Sequence, residues 1–437
     1  MPARRPHIVI VGAGFGGLAA TQALRHAEVD VTLIDKRNHH LFQPLLYQVA
    51  TAGLSPADIA APIRGIVKNN GNTRVLLDRV YGVAPDAREV LLSDGKRLGY
   101  DWLILATGAR HSYFGRDDWA PFAPGIKTID DATAVRRKVL LALERAETET
   151  DKAKRDALLT FVIIGGGPTG VEMAGAVAEL ARKSVSKDFR HITPHCSRII
   201  LVDGHERVLS GFPEALSARA RASLEELGVE LQLNRRVENV DGDGVIAGGT
   251  FIPAATAIWA AGVQASPAAE WLGIEGDRAG RVPVDGHLRP AGHETIFVIG
   301  DTASCAGPGG RPLPGVAPVA KQQGIHAART ILAASAGRKS APFAYRNYGN
   351  LATIGRNHAV ADLGKFQMSG FAAWVLWCVA HIYFLAGFRN RFVVGINWLW
   401  HYVTFERNAR LITGDVLPDR PAESQPNPTS KPARVAA

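Results

Sequence analysis

The chain has 437 residues and a mass of 46.8 kDa, material for about three domains of ~150 residues each. Hydrophobic content of 46%, charged content of 21% and a mean hydropathy of +0.00 exclude wholesale disorder. Three cysteines, Cys196, Cys305 and Cys378, none in a C-x-x-C pair, exclude a disulfide scaffold, a zinc ribbon and a local dithiol; a reducing compartment and no metal site are expected.

At the N-terminus, Arg4 and Arg5 lead at once into the apolar run His7–Val11. The run is too short for a secretory signal and lacks a small-residue cleavage site, so it is read as a buried strand. It enters Gly12-x-Gly14-x-x-Gly17 and then a helical pattern. A second strand ends on the acid Asp35, and residues 102–108 (WLILATG) form a third that ends in Ala106-Thr107-Gly108. The same series then recurs. Residues 161–170 (FVIIGGGPTG) carry Gly165-x-Gly167-x-x-Gly170, residues 199–203 (IILVD) end on Asp203, and residues 257–262 (AIWAAG) end in Ala261-Gly262. Gly12 and Gly165 are 153 residues apart, and Gly108 and Gly262 are 154. The aspartates are offset by 168, so insertions in 38–54 and 181–195 compensate.

One Gly-rich loop is a weak signal; two in strand–turn–helix context with acidic strand ends are strong. The first Gly permits the tight turn, the second lets the backbone approach a pyrophosphate, and the third lets helix and strand pack closely. The helix N-terminus offers its positive end to the phosphates. Asp35 and Asp203 are placed to accept hydrogen bonds from ribose hydroxyls. Two such sites fit a flavin beside a nicotinamide. A further strand, residues 296–301 (IFVIGD), belongs with the first half, where Asp301 would meet a ribityl chain.

Residues 341–412 hold seven Arg or Lys against two acids, over half of the net charge of +9. Within them, 370–388 (GFAAWVLWCVAHIYFLAGF) and 392–405 (FVVGINWLWHYVTF) are two runs without Asp, Glu, Lys or Arg, separated by Arg389 and Arg391. Trp374, Trp377, Trp398 and Trp400 with flanking Arg suit the headgroup region of an anionic bilayer, so two helices lying in one leaflet are expected in preference to a span. No zinc-finger or RNA-recognition signature accompanies the charge, and no nucleic acid is expected.

At this point the sequence resembles the type II NADH dehydrogenases, single-subunit FAD flavoproteins with two dinucleotide-binding domains. Segments 38–48 (NHHLFQPLLYQ), 348–361 (YGNLATIGRNHAVA) and 381–412 carry the specific part of that likeness. The resemblance implies an α/β fold of two Rossmann-like dinucleotide-binding domains, one inserted in the other, plus a C-terminal membrane-surface helical segment. The FAD domain would be 1–140 plus 280–345, the NADH domain 150–278 and the membrane segment 346–412, with 413–437 a disordered tail. FAD would take Gly12, Gly14, Gly17, Asp35, Ala106, Thr107, Gly108, Asp301 and Ala317. NADH, as substrate, would take Gly165, Gly167, Gly170, Asp203, Ala261 and Gly262. Glu172, expected in the first turn after Gly170, would serve catalysis at the nicotinamide–flavin contact.

The resemblance further implies two-electron reduction of a membrane quinone without proton pumping, on the cytoplasmic face; homodimerisation is left open. The family's quinone segment, Ala-Gln-x-Ala-x-Gln, reads Ala317-Pro318-Val319-Ala320-Lys321-Gln322 here, followed by Gln323. Pro318 replaces the first Gln, so Gln322 or Gln323 must do more, or recognition is apolar. Two alternatives stand: a sulfide:quinone oxidoreductase-like flavoprotein using Cys305, and a non-catalytic NADH-sensing flavoprotein.

Overall fold

The computed structural model describes residues 4–184, 188–193, 196–404, 407 and 409–413; most of the tail expected to be disordered lies outside them. In chain order, the elements that position the site are β1 (His7–Val11), α1 (Phe15–Leu24), β2 (Asp30–Asp35), β3 (Thr73–Leu77), β4 (Trp102–Leu105), α2 (Ile129–Thr148), β5 (Thr160–Ile164), α3 (Pro168–Glu179), β6 (Arg198–Val202), β7 (Val229–Gln232), β8 (Thr256–Trp259), β9 (Ile296–Val298), α4 (Ala317–Ser335), β10 (Asn350–Gly355), β11 (His358–Asp362), β12 (Gln367–Ser369), α5 (Phe371–Phe384) and α6 (Phe388–Thr404).

Two parallel sheets form the frame. The first has the order β9-β4-β1-β2-β3 and the second β7-β6-β5-β8. Their strands are apolar on both faces because both faces are covered. In β5 and β6, Phe161, Ile163, Ile199 and Leu201 face one core while Val162, Ile164, Ile200 and Val202 face another. Strand β9 pairs with β4, so the chain leaves the first sheet, builds the second and returns. Helix α4 then packs on α1 at glycine: a Cβ on Gly324 would collide with the Gly16 carbonyl oxygen.

The basic segment begins with the antiparallel sheet β10-β11-β12. It docks on α3, where a Cβ on Gly175 would be driven into the Ile354 carbonyl oxygen. Helices α5 and α6 follow. At 14 and 17 residues they are about 21 and 25 Å long, and among the described residues no helix is long and apolar enough to cross a membrane. One face of the pair is buried through Ala373, Trp377 and Val394, while Val379, Tyr383, Phe392, Leu399 and Val403 are exposed.

Because Gly175 fills a backbone contact that no side chain can share, Gly175→Ala is expected to separate α3 from β10. Overpacking of this kind costs about 1–3 kcal/mol. The melting temperature should fall by several degrees in thermal denaturation followed by circular dichroism.

Candidate functional site

In open parallel sheets, ligands bind beyond the C-terminal strand ends where the strand order reverses. In the first sheet that point lies between β1 and β4. Gly12 leaves β1 at φ +102°, and its missing Cβ makes room for the Ala106 backbone that follows β4. Gly17 packs against the Gly12 carbonyl in the same manner. Gly14 differs from both: among the described residues, nothing beyond its immediate chain neighbours lies within 4 Å of where its Cβ would be. The three glycines thus divide into turn, open cradle and close packing.

Around this cradle, the Asp35 carboxylate accepts from the Ala13 N–H at 2.6 Å and the Arg37 N–H at 2.8 Å. Thr107 Oγ1 lies 2.5 Å from Ser266 Oγ and 3.2 Å from Thr302 Oγ1. Both Asp35 and Thr107 line a cleft of about 2080 Å³ together with Gly14, Gly108 and Asp301. Pro318 is in the first turn of α4, and it and Ala317 face the same cleft.

The second loop repeats the geometry. Gly165 leaves β5 at φ +114°, Gly170 abuts the Gly165 carbonyl, and the Cβ direction of Gly167 is open. The Asp203 carboxylate accepts from the Gly166 N–H, and its other oxygen accepts from the His205 N–H at 2.6 Å and lies 2.6 Å from the His205 ring Nδ1. In the turn after β8, Ala261 borders the loop, close to where a Cβ on Gly165 would point. Gly262 lines the cleft, packed against the Phe114 ring. Gly165, Gly167, Gly170 and Asp203 do not line the cleft themselves; the second loop reaches it through Pro168 and Thr169.

Glu172 lies five residues into α3, past the first turn where it was expected, because the helix starts at Pro168 directly after its Gly167 N-cap. It lines both the main cleft and a second cavity of about 120 Å³. Burial pushes its carboxyl up to about 8, against the opposing influence of the Thr353 backbone and the Trp377 indole. Burial also raises the Tyr47 phenol, and the nearby Glu172 adds to this. The Gln48 amide donates to the Tyr47 hydroxyl at 2.9 Å, and the Trp398 indole N–H donates to Gln48 Oε1 at 2.8 Å. His381, stacked 4.0 Å from the Trp377 ring and 2.7 Å from the Trp377 carbonyl through Nδ1, is pushed down to about 4 by burial.

Tyr47, Trp377 and His381 were inside segments singled out by the sequence, but nothing in their spacing marked them as the surroundings of Glu172. Gln322 and Gln323 turn away from the cleft. Gln322 is clamped to the Arg346 backbone at both ends of its amide, at 2.9 and 3.0 Å. Gln323 is 1% exposed and accepts from the Gly300 N–H at 2.7 Å. All three cysteines are free, and Cys305 is buried.

Residues 6–324 match the family model of the pyridine nucleotide-disulphide oxidoreductases, and residues 348–407 match that of the NDH2 C-terminal domain. A Mycobacterium tuberculosis protein, type II NADH:quinone oxidoreductase NdhA, is 43% identical over 94% of this chain and 90% of its own. The chain belongs to the type II NADH:quinone oxidoreductases. An Arabidopsis thaliana mitochondrial relative, internal alternative NAD(P)H-ubiquinone oxidoreductase A1, is 30% identical over 91% of this chain and 84% of its own. Among solved structures, NDH2 from Plasmodium falciparum in complex with NADH superimposes with a TM-score of 0.86 at 21% identity, covering 94% of this chain and 100% of that one. The sulfide:quinone oxidoreductase of Aquifex aeolicus shares the fold at a TM-score of 0.72 and 19% identity, covering 88% of this chain and 92% of that one.

As a type II NADH:quinone oxidoreductase, the chain is an FAD enzyme that uses NADH, and the first loop fits the flavin nucleotide: an open cradle at Gly14, a helix N-terminus behind it and the Asp301 carboxylate along the cleft. The two glycines can be told apart experimentally. Gly14→Val should fold with the stability of the parent apoprotein and purify with little FAD, because its side chain enters only the cradle. Gly17→Ala should lower apoprotein stability itself. Flavin absorbance per protein and apoprotein thermal denaturation measure the two effects.

Proposed function

We propose that this chain oxidises NADH and passes two electrons to a membrane quinone, in the balance NADH + H⁺ + quinone → NAD⁺ + quinol, without proton pumping. The observation that carries the reading is the single cleft, which runs from Gly14 and Asp301 past Glu172 and Gly262 to Ala380 and Phe384 on α5. Bound FAD supplies the hydride acceptor and the electron relay. The protein holds the flavin at the first loop through Gly12, Gly14, Gly17, Asp35, Ala106-Thr107-Gly108, Asp301 and Ala317. It holds the nicotinamide nucleotide at the second through Gly165, Gly167, Gly170, Asp203 and Ala261-Gly262. The apolar outer faces of α5 and α6 rest in one leaflet on the cytoplasmic side, and quinone enters from the lipid beneath them. The two helices are too short to carry a proton path across ~30 Å of hydrocarbon. In a steady-state assay, NADH should bleach the flavin band and a soluble quinone should restore it with turnover. A reduced flavin that quinone does not reoxidise would favour the NADH-sensing alternative.

Asp203 supports the choice of NADH, since a ribose 2′-phosphate would meet its carboxylate. Asp203→Ala should raise KM for NADH. Loss of a charged hydrogen bond, roughly 1.5–3 kcal/mol, shifts the NADH/NADPH preference by ~10-fold or more. FAD content should stay unchanged; loss of FAD would reverse the assignment of the two loops.

Glu172 holds a proton at the heart of the cleft. With its carboxyl raised to about 8, it is protonated at neutral pH and ionises above that. Quinone turnover should therefore fall as pH rises through about 8, and a kcat profile between about pH 6 and 10 measures this. Glu172→Gln, neutral throughout but with no proton to exchange, should lower the plateau and abolish the fall.

A further inference from the structure

We propose that Lys321 is the polar group that receives the quinone: its ammonium donates a hydrogen bond to one carbonyl oxygen of the ring and holds the negative charge that grows there on reduction. The assignment rests on the reading of the cleft as a quinone site and gives that site its recognition chemistry.

The argument begins with the phase of α4. Its first five residues present Ala317, Pro318, Ala320 and Lys321 to the cleft. Ala317, Pro318 and Ala320 carry no side-chain donor, and Pro318 has no backbone N–H either. The two glutamines that follow are spent elsewhere, Gln322 on both backbone groups of Arg346 and Gln323 on the Gly300 N–H. Lys321 is thus the side chain through which the start of α4 can offer a proton to a ligand. It takes part in no ion pair among the described residues.

Its position is set from the other side of the opening. The Nζ atom stands 5.4 Å from the centroid of the Phe384 ring, the last residue of α5. The ammonium therefore bridges α4 and the helix pair at the cleft mouth, held by the negative face of the ring. The β10 and α5 side of the same cleft contributes the apolar side chains of Leu351, Leu376 and Ala380, with Asn350 and His381 among them. A flat, uncharged ring with carbonyl acceptors at its edge matches this arrangement: apolar surface for the ring, a compact cation with three N–H donors for one oxygen. An anionic or purely aliphatic ligand would leave one half of it unused.

The test uses the FAD-loaded full chain, with decylubiquinone and menadione as probes. Lys321 is exposed, so Lys321→Met should fold with the parent's flavin content. It should raise KM for both quinones about tenfold or more and weaken their binding to the oxidised enzyme, titrated without NADH through the flavin spectrum, by a similar factor. The rate of flavin reduction by NADH alone should be unchanged, and Lys321→Arg should recover most of the quinone affinity. Quinone KM and binding within twofold of the parent in Lys321→Met, with a normal parent enzyme, would overturn the assignment alone. A parent enzyme whose reduced flavin neither quinone reoxidises would overturn the quinone reading itself.

Discussion

A parallel strand can offer its backbone to a ligand only where the chain leaves the sheet, and every catalytic feature of this molecule follows from that restriction. Both sheets turn their C-terminal strand ends toward a shared opening, so loops 153 residues apart in sequence come to border the same region. The helices behind the loops aim their N-termini at it. What remains for the rest of the chain is to close the opening on its third side, which is the work of the sheet β10-β11-β12 and the pair α5 and α6.

That closure explains the chemistry of Glu172. A carboxyl in the middle of a helix would ordinarily ionise near 4, as exposed carboxylates do. Here α5 brings Trp377, β10 brings Thr353 and the insertion after β2 brings Tyr47, and water is displaced from the carboxyl. The closure is tied in place by polar contacts: Trp398 to Gln48, Asn390 to the Ala60 carbonyl, and Arg407 to both the Thr51 carbonyl and Glu179. Helix α5 is consequently a wall of the cleft, and α6 a wall of the smaller cavity behind it.

The glycine loops were legible in the sequence for a physical reason. Gly12 and Gly165 have φ values that L side chains resist, and Gly17 and Gly170 touch backbone where a Cβ would sit, so the residue type reports the geometry directly. The alternation of apolar strands with helices was legible for the same kind of local reason, whereas the return of residues 296–301 to the first half was read from cofactor chemistry, the acid a ribityl chain would need, and not from any local pattern. The roles of Gln322 and Gln323 were not legible. Successive helical residues differ by about 100° in direction, and the phase of α4 is decided by Gly16, Gly300 and Arg346, partners scattered over the whole chain. The placement of Lys321 is hidden for the mirror-image reason: as a lysine in a helix it resembles any solvated surface residue until Phe384 is seen beside it. Burial of Glu172 was equally hidden, because none of the groups that dry it is its neighbour in sequence.

The return of β9 to β4 has a consequence for how the protein is made. Strand β4 emerges from the ribosome about 190 residues before its partner. At roughly 5–20 residues per second, its edge waits some tens of seconds, unpaired and apolar, while the entire second sheet is synthesised. Strand β9 is followed by α4, whose N-terminal turn borders the cleft, so the nascent first half lacks both an edge strand and one wall of the cleft during that interval. The half-sheet with that open edge is therefore the species most exposed to wrong pairing while the second sheet is being made.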